Sequence, residues 1–177
     1  MNKKRIAIDM DEVMTDAIGR FIELYQQEFN EDLSALRQPG NNLEKVVPPD
    51  RLAAVKSWPH RPDFFKDLDA IDGALQAVAQ LHQHHEVFIT TAAQEFEHSF
   101  TPKYNWIKQH LPFITWKNIV FCGDKSIIRA DYLIDDLERN LKTFTGTGLL
   151  FTAPHNAHVE GYTRLNNWQE VVDYFLK

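Results

Sequence analysis

Two aspartates, Asp9 and Asp11, stand two residues apart at the end of the short apolar run Ile6-Ala7-Ile8. On a strand, residues i and i+2 face the same side. If the extended geometry continues past the strand, both carboxylates point into one small volume. Like charges held that close are costly unless a cation or a shared proton compensates. A strand ending in Asp-x-Asp therefore suggests a metal site, an acid/base pair, or both. Taken alone, the same letters also fit a solvated turn after an edge strand.

The surrounding elements decide what can meet that pair. Five short apolar runs read as strands: Ile6 to Asp9, Val87 to Thr91, Ile119 to Cys122, Tyr132 to Asp135 and Leu149 to Thr152. They lack strict polar alternation, as expected of a parallel sheet covered on both faces. Helical segments separate them. Thr15 to Phe29 carries a helical apolar stripe. Asp72 is a candidate cap for a helix through Leu75, Val78 and Leu81. Thr101-Pro102 forms a start signal, Asp124 a cap for Lys125 to Arg129, and Asn167 with Glu170 a capping box for the last helix. His82, His84 and His85 read as a solvated turn. About eighty residues separate the first two strands, far more than one crossover helix needs. The turn clusters at 38–42, 48–50 and 58–62 break that stretch, which reads as a mostly helical insertion from about Thr15 to Ala70.

In an open α/β sheet, ligands bind beyond the carboxyl ends of the strands. Here those ends are polar: Asp9 and Asp11, then Thr90 and Thr91, then Gly123-Asp124-Lys125, then Asp135 and Asp136. Any one has an ordinary explanation. Thr91 could satisfy strand-end backbone, Lys125 could be a surface lysine, and Asp135 with Asp136 could cap a helix. The four together point to one site.

Composition narrows the partner. The chain has 177 residues, 44% hydrophobic and 25% charged, enough for a core without disulfides. A net charge of −6 offers no field for a nucleic-acid polymer, but leaves a small phosphate ester open. The one cysteine, Cys122, reads as a small buried hydrophobe. The basic start Met1-Asn2-Lys3-Lys4-Arg5 precedes an apolar segment too short for a signal peptide or a membrane span. A cytoplasmic protein without a membrane partner is expected. No coiled-coil seam or other feature reveals an oligomeric state.

These four elements, in this order, resemble the haloacid dehalogenase-like (HAD) phosphohydrolase superfamily. Most of the chain looks like its 5′(3′)-deoxyribonucleotidase family. The matching runs are Asp9 to Asp16, Arg61 to Leu68, Lys103 to Ile107, Asp124-Lys125, Leu133 to Asp136, and Leu150-Phe151-Thr152 with His155-Asn156. The resemblance implies a three-layer Rossmann-like α/β fold with a parallel sheet. Residues 1–14 and 71–177 would form the core, and 15–70 a small helical cap inserted after the first strand. Asp9 would be the nucleophile, forming an aspartyl-phosphate. Asp11 would protonate the leaving oxygen and then take a proton from the hydrolytic water. The resemblance also implies Mg²⁺ on the Asp9 carboxylate, the Asp11 carbonyl and Asp135, with Asp136 supporting from behind. Thr91, Lys125 and the backbone of Met10 and Asp11 would bind phosphate. Phe64 and Phe65 would wall a base pocket, although simple cap-to-core packing also fits them. Packing is the preferred role of Trp106, and His155 and His158 follow the last strand near the site rim.

The implied activity is dephosphorylation of deoxyribonucleoside monophosphates. A halide leaving group needs no proton, so the acid at Asp11 favours phosphate ester chemistry. Three positions depart from the animal nucleotidases: Glu12 and Ala92 replace Gly and Ser, and Gly123 replaces Arg. They leave room for another substrate, a sugar or cofactor phosphate, or for a non-catalytic ligand-binding module on the same fold.

Overall fold

The computed structural model describes residues 3–177; Met1 and Asn2 of the basic start lie outside the described residues. The five expected strands form at Arg5–Asp9 (β1), Glu86–Thr91 (β2), Ile119–Phe121 (β3), Tyr132–Asp135 (β4) and Thr147–Phe151 (β5). A sixth, Thr163–Leu165 (β6), completes an all-parallel sheet in the order β3-β2-β1-β4-β5-β6. The reading from sequence missed β6 because Thr-Arg-Leu offers no apolar run. It is an edge strand, and its polar residues are what an edge requires.

Two-residue alternation sorts the strand side chains. Ile6, Ile8, Ile134 and Leu149 pack on one face with Val78 and Leu81 of α4 (Ala74–His84), Trp106 and Ile107 of α5 (Phe100–His110), and Val171 of α7 (Trp168–Leu176). Ala7, Leu133 and Leu150 point to the other face, under Leu141 of α6 (Glu138–Thr143) and Phe144. Both faces are covered, which explains the unbroken apolar runs.

Several helix starts differ from expectation. Helix α1 spans Ala17–Phe29, because Asp16 takes the N-cap and accepts from Gly19 N at 2.8 Å. Gly73, at φ 78°, precedes α4 in the place assigned to Asp72. Ser99 precedes α5, leaving Thr101 and Pro102 inside the first turn, where proline forfeits no helical bond. Asp124 does cap, but only the 3₁₀ turn Lys125–Ile127. Asn167 caps α7, whereas Glu170 reaches Asn166 N, one residue short of a closed capping box. His82 and His84 lie in α4 and His85 is buried behind it, so these histidines are not a solvated turn.

Between β1 and α4 the chain builds a second apolar cluster. It uses α1, a turn at Ser34–Arg37, α2 (Leu43–Val46), α3 (Pro49–Ser57) and a turn at Trp58–His60. Tyr25, Leu36, Val55, Trp58 and Phe64 are its buried members. Two connecting segments, joined by an isolated bridge, link it to the sheet. Thr15 pairs with Ala70, Asp16 N donates to Asp69 O at 2.9 Å, and Ile71 N donates to Met14 O at 2.8 Å. A buried indole from the core holds each segment: Trp168 Nε1 donates to Val13 O at 2.8 Å and Trp106 Nε1 to Leu68 O at 2.7 Å.

Candidate active site

Parallel register aligns the strand ends. Asp9 lies beside Thr90, Ile8 beside Ile134, and Asp135 beside Leu150. The chain leaving β1 then turns tightly, with Met10 O accepting from Met14 N at 2.8 Å and Thr15 N at 2.9 Å. This turn throws Asp11 and Glu12 over the sheet edge.

Lys125 is 2% exposed and joins two of the acids. Its Nζ donates to Asp9 Oδ1 and, at 2.5 Å, to Asp135 Oδ2. A second lysine, Lys103 on α5, is 1% exposed. Its Nζ donates to Asp11 Oδ2 at 2.5 Å and to Thr91 Oγ1 at 3.1 Å. The two aspartates of the motif therefore have separate cations. Asp135 also accepts from Leu137 N at 2.9 Å and Asn140 Nδ2 at 3.0 Å. Asp136 is less engaged: His155 Nε2 lies 3.1 Å from its Oδ2.

Burial dominates the electrostatics. It pushes the Asp9 carboxyl from 3.8 up to about 7, aided by Asp135 and Asp11 and opposed by Lys125. It raises Asp135 against the pull of Lys125, and Asp136 against that of His155. For Lys125, burial favours the neutral amine, but Asp9 and Asp135 outweigh it and the ammonium is held above its ordinary range. His155 is likewise raised, with Asp136 overcoming burial.

Asp9, Asp135 and Asp136 each place one carboxylate oxygen within 4.8 Å of the other two. All the donors are hard oxygens and all three residues are buried, a set that fits a small divalent cation. The raised carboxyls fit too, because a cation would supply the charge that one lysine does not.

A cavity of about 100 Å³ opens over Asp9, Asp11, Lys103, Lys125 and Asn140. Thr91 flanks it through its bond from Lys103. A larger cavity, about 280 Å³, lies between the insertion and the core, lined by Ile18, Phe21, Leu36, Leu43 and His155. Glu12 lines both.

The structure brings Asp9, Asp11, Thr91, Lys125, Asp135 and Asp136 together. The Met10 side chain is buried in the core, and its carbonyl ties the turn. The two aromatic residues expected to wall a base pocket are closed off from both cavities. Phe64 and Phe65 are 1% and 4% exposed and line neither cavity. They pack edge to face on each other inside the insertion. Lys103 Nζ sits 4.4 Å from the Phe65 ring centroid, so that ring carries the lysine.

Lys103 is the site residue that the sequence reading did not assign. The signal was present: Lys103, Trp106 and Ile107 are the buried residues of α5, at i, i+3 and i+4. A buried lysine on an apolar stripe needs an acid within reach.

The model of the family described as 5′ nucleotidase, deoxy (Pyrimidine), cytosolic type C protein matches residues 3–177. A Staphylococcus aureus (strain Mu50) protein, provisionally named a 5′(3′)-deoxyribonucleotidase, is 40% identical over 178 residues, covering 99% of this chain and 97% of that one. The 5′(3′)-deoxyribonucleotidase of Bacillus subtilis (strain 168) is 32% identical over 179 residues, covering 96% of each. Among solved structures, a HAD family hydrolase from Deinococcus radiodurans with bound phosphate and sodium superposes with a TM-score of 0.50 at 15% identity, covering 96% of this chain and 93% of that one. That last likeness shows the fold alone.

Proposed function

The chain belongs to the 5′ nucleotidase, deoxy (pyrimidine), cytosolic type C family, and from that premise we propose how its site works and on what. It is a HAD-type phosphate monoester hydrolase, an enzyme of the deoxyribonucleotidase kind. We assign it deoxyribonucleoside monophosphates as substrates and Mg²⁺ as cofactor. The family description includes the word cytosolic, which supports a cytoplasmic location. Among the described residues, no helix is long and apolar enough to cross a membrane. We treat residues 15–70 as the cap and 1–14 with 71–177 as the core.

One observation supports the mechanism most: Asp9 and Asp11 sit on one cavity, each with its own buried lysine. Lys125 holds Asp9, the nucleophile, beside the metal-binding acids. Asp9 attacks phosphorus and the bond to the leaving oxygen breaks, giving an aspartyl-phosphate. Asp11, oriented by Lys103 and by Thr15 Oγ1 at 3.2 Å, delivers a proton to that oxygen. It then takes a proton from the water that attacks the intermediate, returning Asp9 and releasing phosphate. Lys103 and the Thr91 hydroxyl face the phosphoryl oxygens. Asp9, the Asp11 carbonyl and Asp135 or Asp136 would hold the cation; Asp135 is already engaged by Lys125, Leu137 and Asn140, so Asp136 is the freer donor. Bound there, Mg²⁺ offsets the repulsion between nucleophile and phosphate. The apolar cavity beside the phosphate site suits a nucleobase.

A panel of phosphorylated metabolites, read by phosphate release with and without a chelator, tests this reading. Deoxyribonucleoside monophosphates should lead the panel, and chelation should stop turnover. If sugar phosphates rank far above nucleotides, the substrate assignment fails. Equal turnover in chelator removes the metal.

A further inference from the structure

Glu12 is held in a conformation that glycine would adopt more readily. Its φ is +57°, in the left-handed region that disfavours residues with a side chain. The turn nevertheless secures it, with Glu12 N donating to Thr15 O at 2.8 Å. Its carboxylate Oε1 accepts from Ile18 N at 2.7 Å, in the first turn of α1. Asp16 already caps that helix through Gly19 N, so Glu12 is not needed to start it. Among the described residues, the second oxygen of Glu12, Oε2, accepts no hydrogen bond.

Position says what that oxygen can meet. Glu12 lines the phosphate cavity and also the apolar cavity, and His155 lines the latter. Any ester whose phosphate lies over Asp9 and whose apolar part fills the larger cavity passes Glu12 with its middle. An acid there is a poor partner for the phosphate itself and can accept a hydrogen bond from a donor on the leaving group. In a deoxyribonucleoside monophosphate that middle is the sugar, which carries one free hydroxyl.

We propose that Glu12 is a specificity residue whose Oε2 accepts a hydrogen bond from the free sugar hydroxyl, with His155 as the neighbouring wall of the neck. The inference rests on the nucleotidase reading. It explains why an acid, rather than glycine, occupies a left-handed position next to Asp11.

The experiment compares kcat/KM for a 2′-deoxynucleoside 5′-monophosphate with that for its 2′,3′-dideoxy counterpart, alongside phenyl phosphate. The native enzyme should favour the hydroxylated nucleotide by about fivefold, the scale of one hydrogen bond. In Glu12→Ala that ratio should fall towards one, through KM. If the alanine variant gives no measurable turnover, Glu12→Gly, which relieves the backbone, supplies the ratio. The inference is overturned if the native ratio is near one, or if the variant weakens both nucleotides equally and so keeps the ratio, as a merely structural role requires. If phenyl phosphate outperforms both nucleotides in the native enzyme, the nucleotidase reading itself fails. Retention of nucleotide preference with an unchanged ratio in the variant defeats the Glu12 role alone.

Discussion

At the strand ends and just beyond them, Asp9, Thr91, Lys125 and Asp135 are at most 8% exposed; Lys125 binds both aspartates, and Thr91 accepts from Lys103. Across the gap, the insertion presents mainly apolar side chains, Ile18, Phe21, Leu36 and Leu43, with Asn41, Asn42 and Glu44 among them. The first region is charged, dry and rooted in paired strands. The second is built from short helices and turns, and joins the rest through two bridged segments. A reacting phosphate needs fixed charges at fixed places, which a parallel sheet supplies. A leaving group needs a shaped surface, which a small apolar unit can vary without disturbing the charges.

Substitutions should separate these two regions by what they change. The largest effect belongs to Asp9→Asn. It removes the nucleophile and should lower kcat by at least roughly a thousandfold, equally for nucleotides and aryl phosphates. Stopped-time phosphate assays on both substrate classes check it. A loss confined to nucleotides would mean that the charged region also chooses the substrate.

Next comes Lys125→Met, which keeps much of the volume and removes the charge. It leaves Asp9 and Asp135 without their shared cation, and breaking such a buried pair costs about 3–5 kcal/mol. Chemical denaturation should show that loss, and millimolar Mg²⁺ should restore part of it, because the three acids converge on one volume. No rescue by the cation would argue against a metal at that place.

The legibility of the two regions from sequence follows the same division. Each chemical residue on a strand end has a fixed register and a fixed direction, so Asp9, Thr91 and Asp135 could be placed from the runs that precede them, while Lys125 follows β3 through the Asp124-capped turn. Lys103 escaped assignment because it lies on a helix, where its partner Asp11 is 92 residues away and only the fold joins them. The segment of Phe64 and Phe65 resembles the one that lines the base pocket in the family, yet aromatic residues suit both a pocket wall and a core. Only the packing of the insertion decides between those roles. β6 was invisible because it borrows its stability from β5 rather than from its own residues. Glu12 stood out as a departure, but its reach to α1 depends on a left-handed turn that sequence does not announce.

A pH series sharpens the contrast further. The Asp9 carboxyl moves from 3.8 in the unfolded chain to about 7 in the fold, and burial moves Glu12 from 4.5 to about 8. Between those values the folded protein binds more protons than the unfolded chain. The stability these two groups contribute is therefore full below about pH 4 and is lost as pH rises through 7 and 8. In chelator, Tm should fall from pH 5 to pH 8. With Mg²⁺ the part due to Asp9 should flatten, since a cation competes with that proton. The slope that survives in Mg²⁺ should diminish in Glu12→Gln. A flat Tm profile in chelator would show that the acids are relieved in some other way.

The smallest effects should arise where the two regions join. Trp168 holds the outgoing segment at Val13 O and Trp106 the returning segment at Leu68 O. Replacing either by Phe leaves a buried carbonyl without its donor, at about 1–3 kcal/mol each. Their kinetic consequences should differ. Trp106 lies one turn beyond Lys103 on α5, so Trp106→Phe loosens the helix that orients Asp11 and should lower kcat a few-fold. Trp168 lies on α7, which carries no residue of the phosphate cavity, so Trp168→Phe should act through the placement of the cap and appear in KM. Steady-state kinetics of the two variants at equal fraction folded distinguish these outcomes. Identical profiles would mean that the two connecting segments act as one unit, and that α5 gives the acid no support beyond the lysine itself.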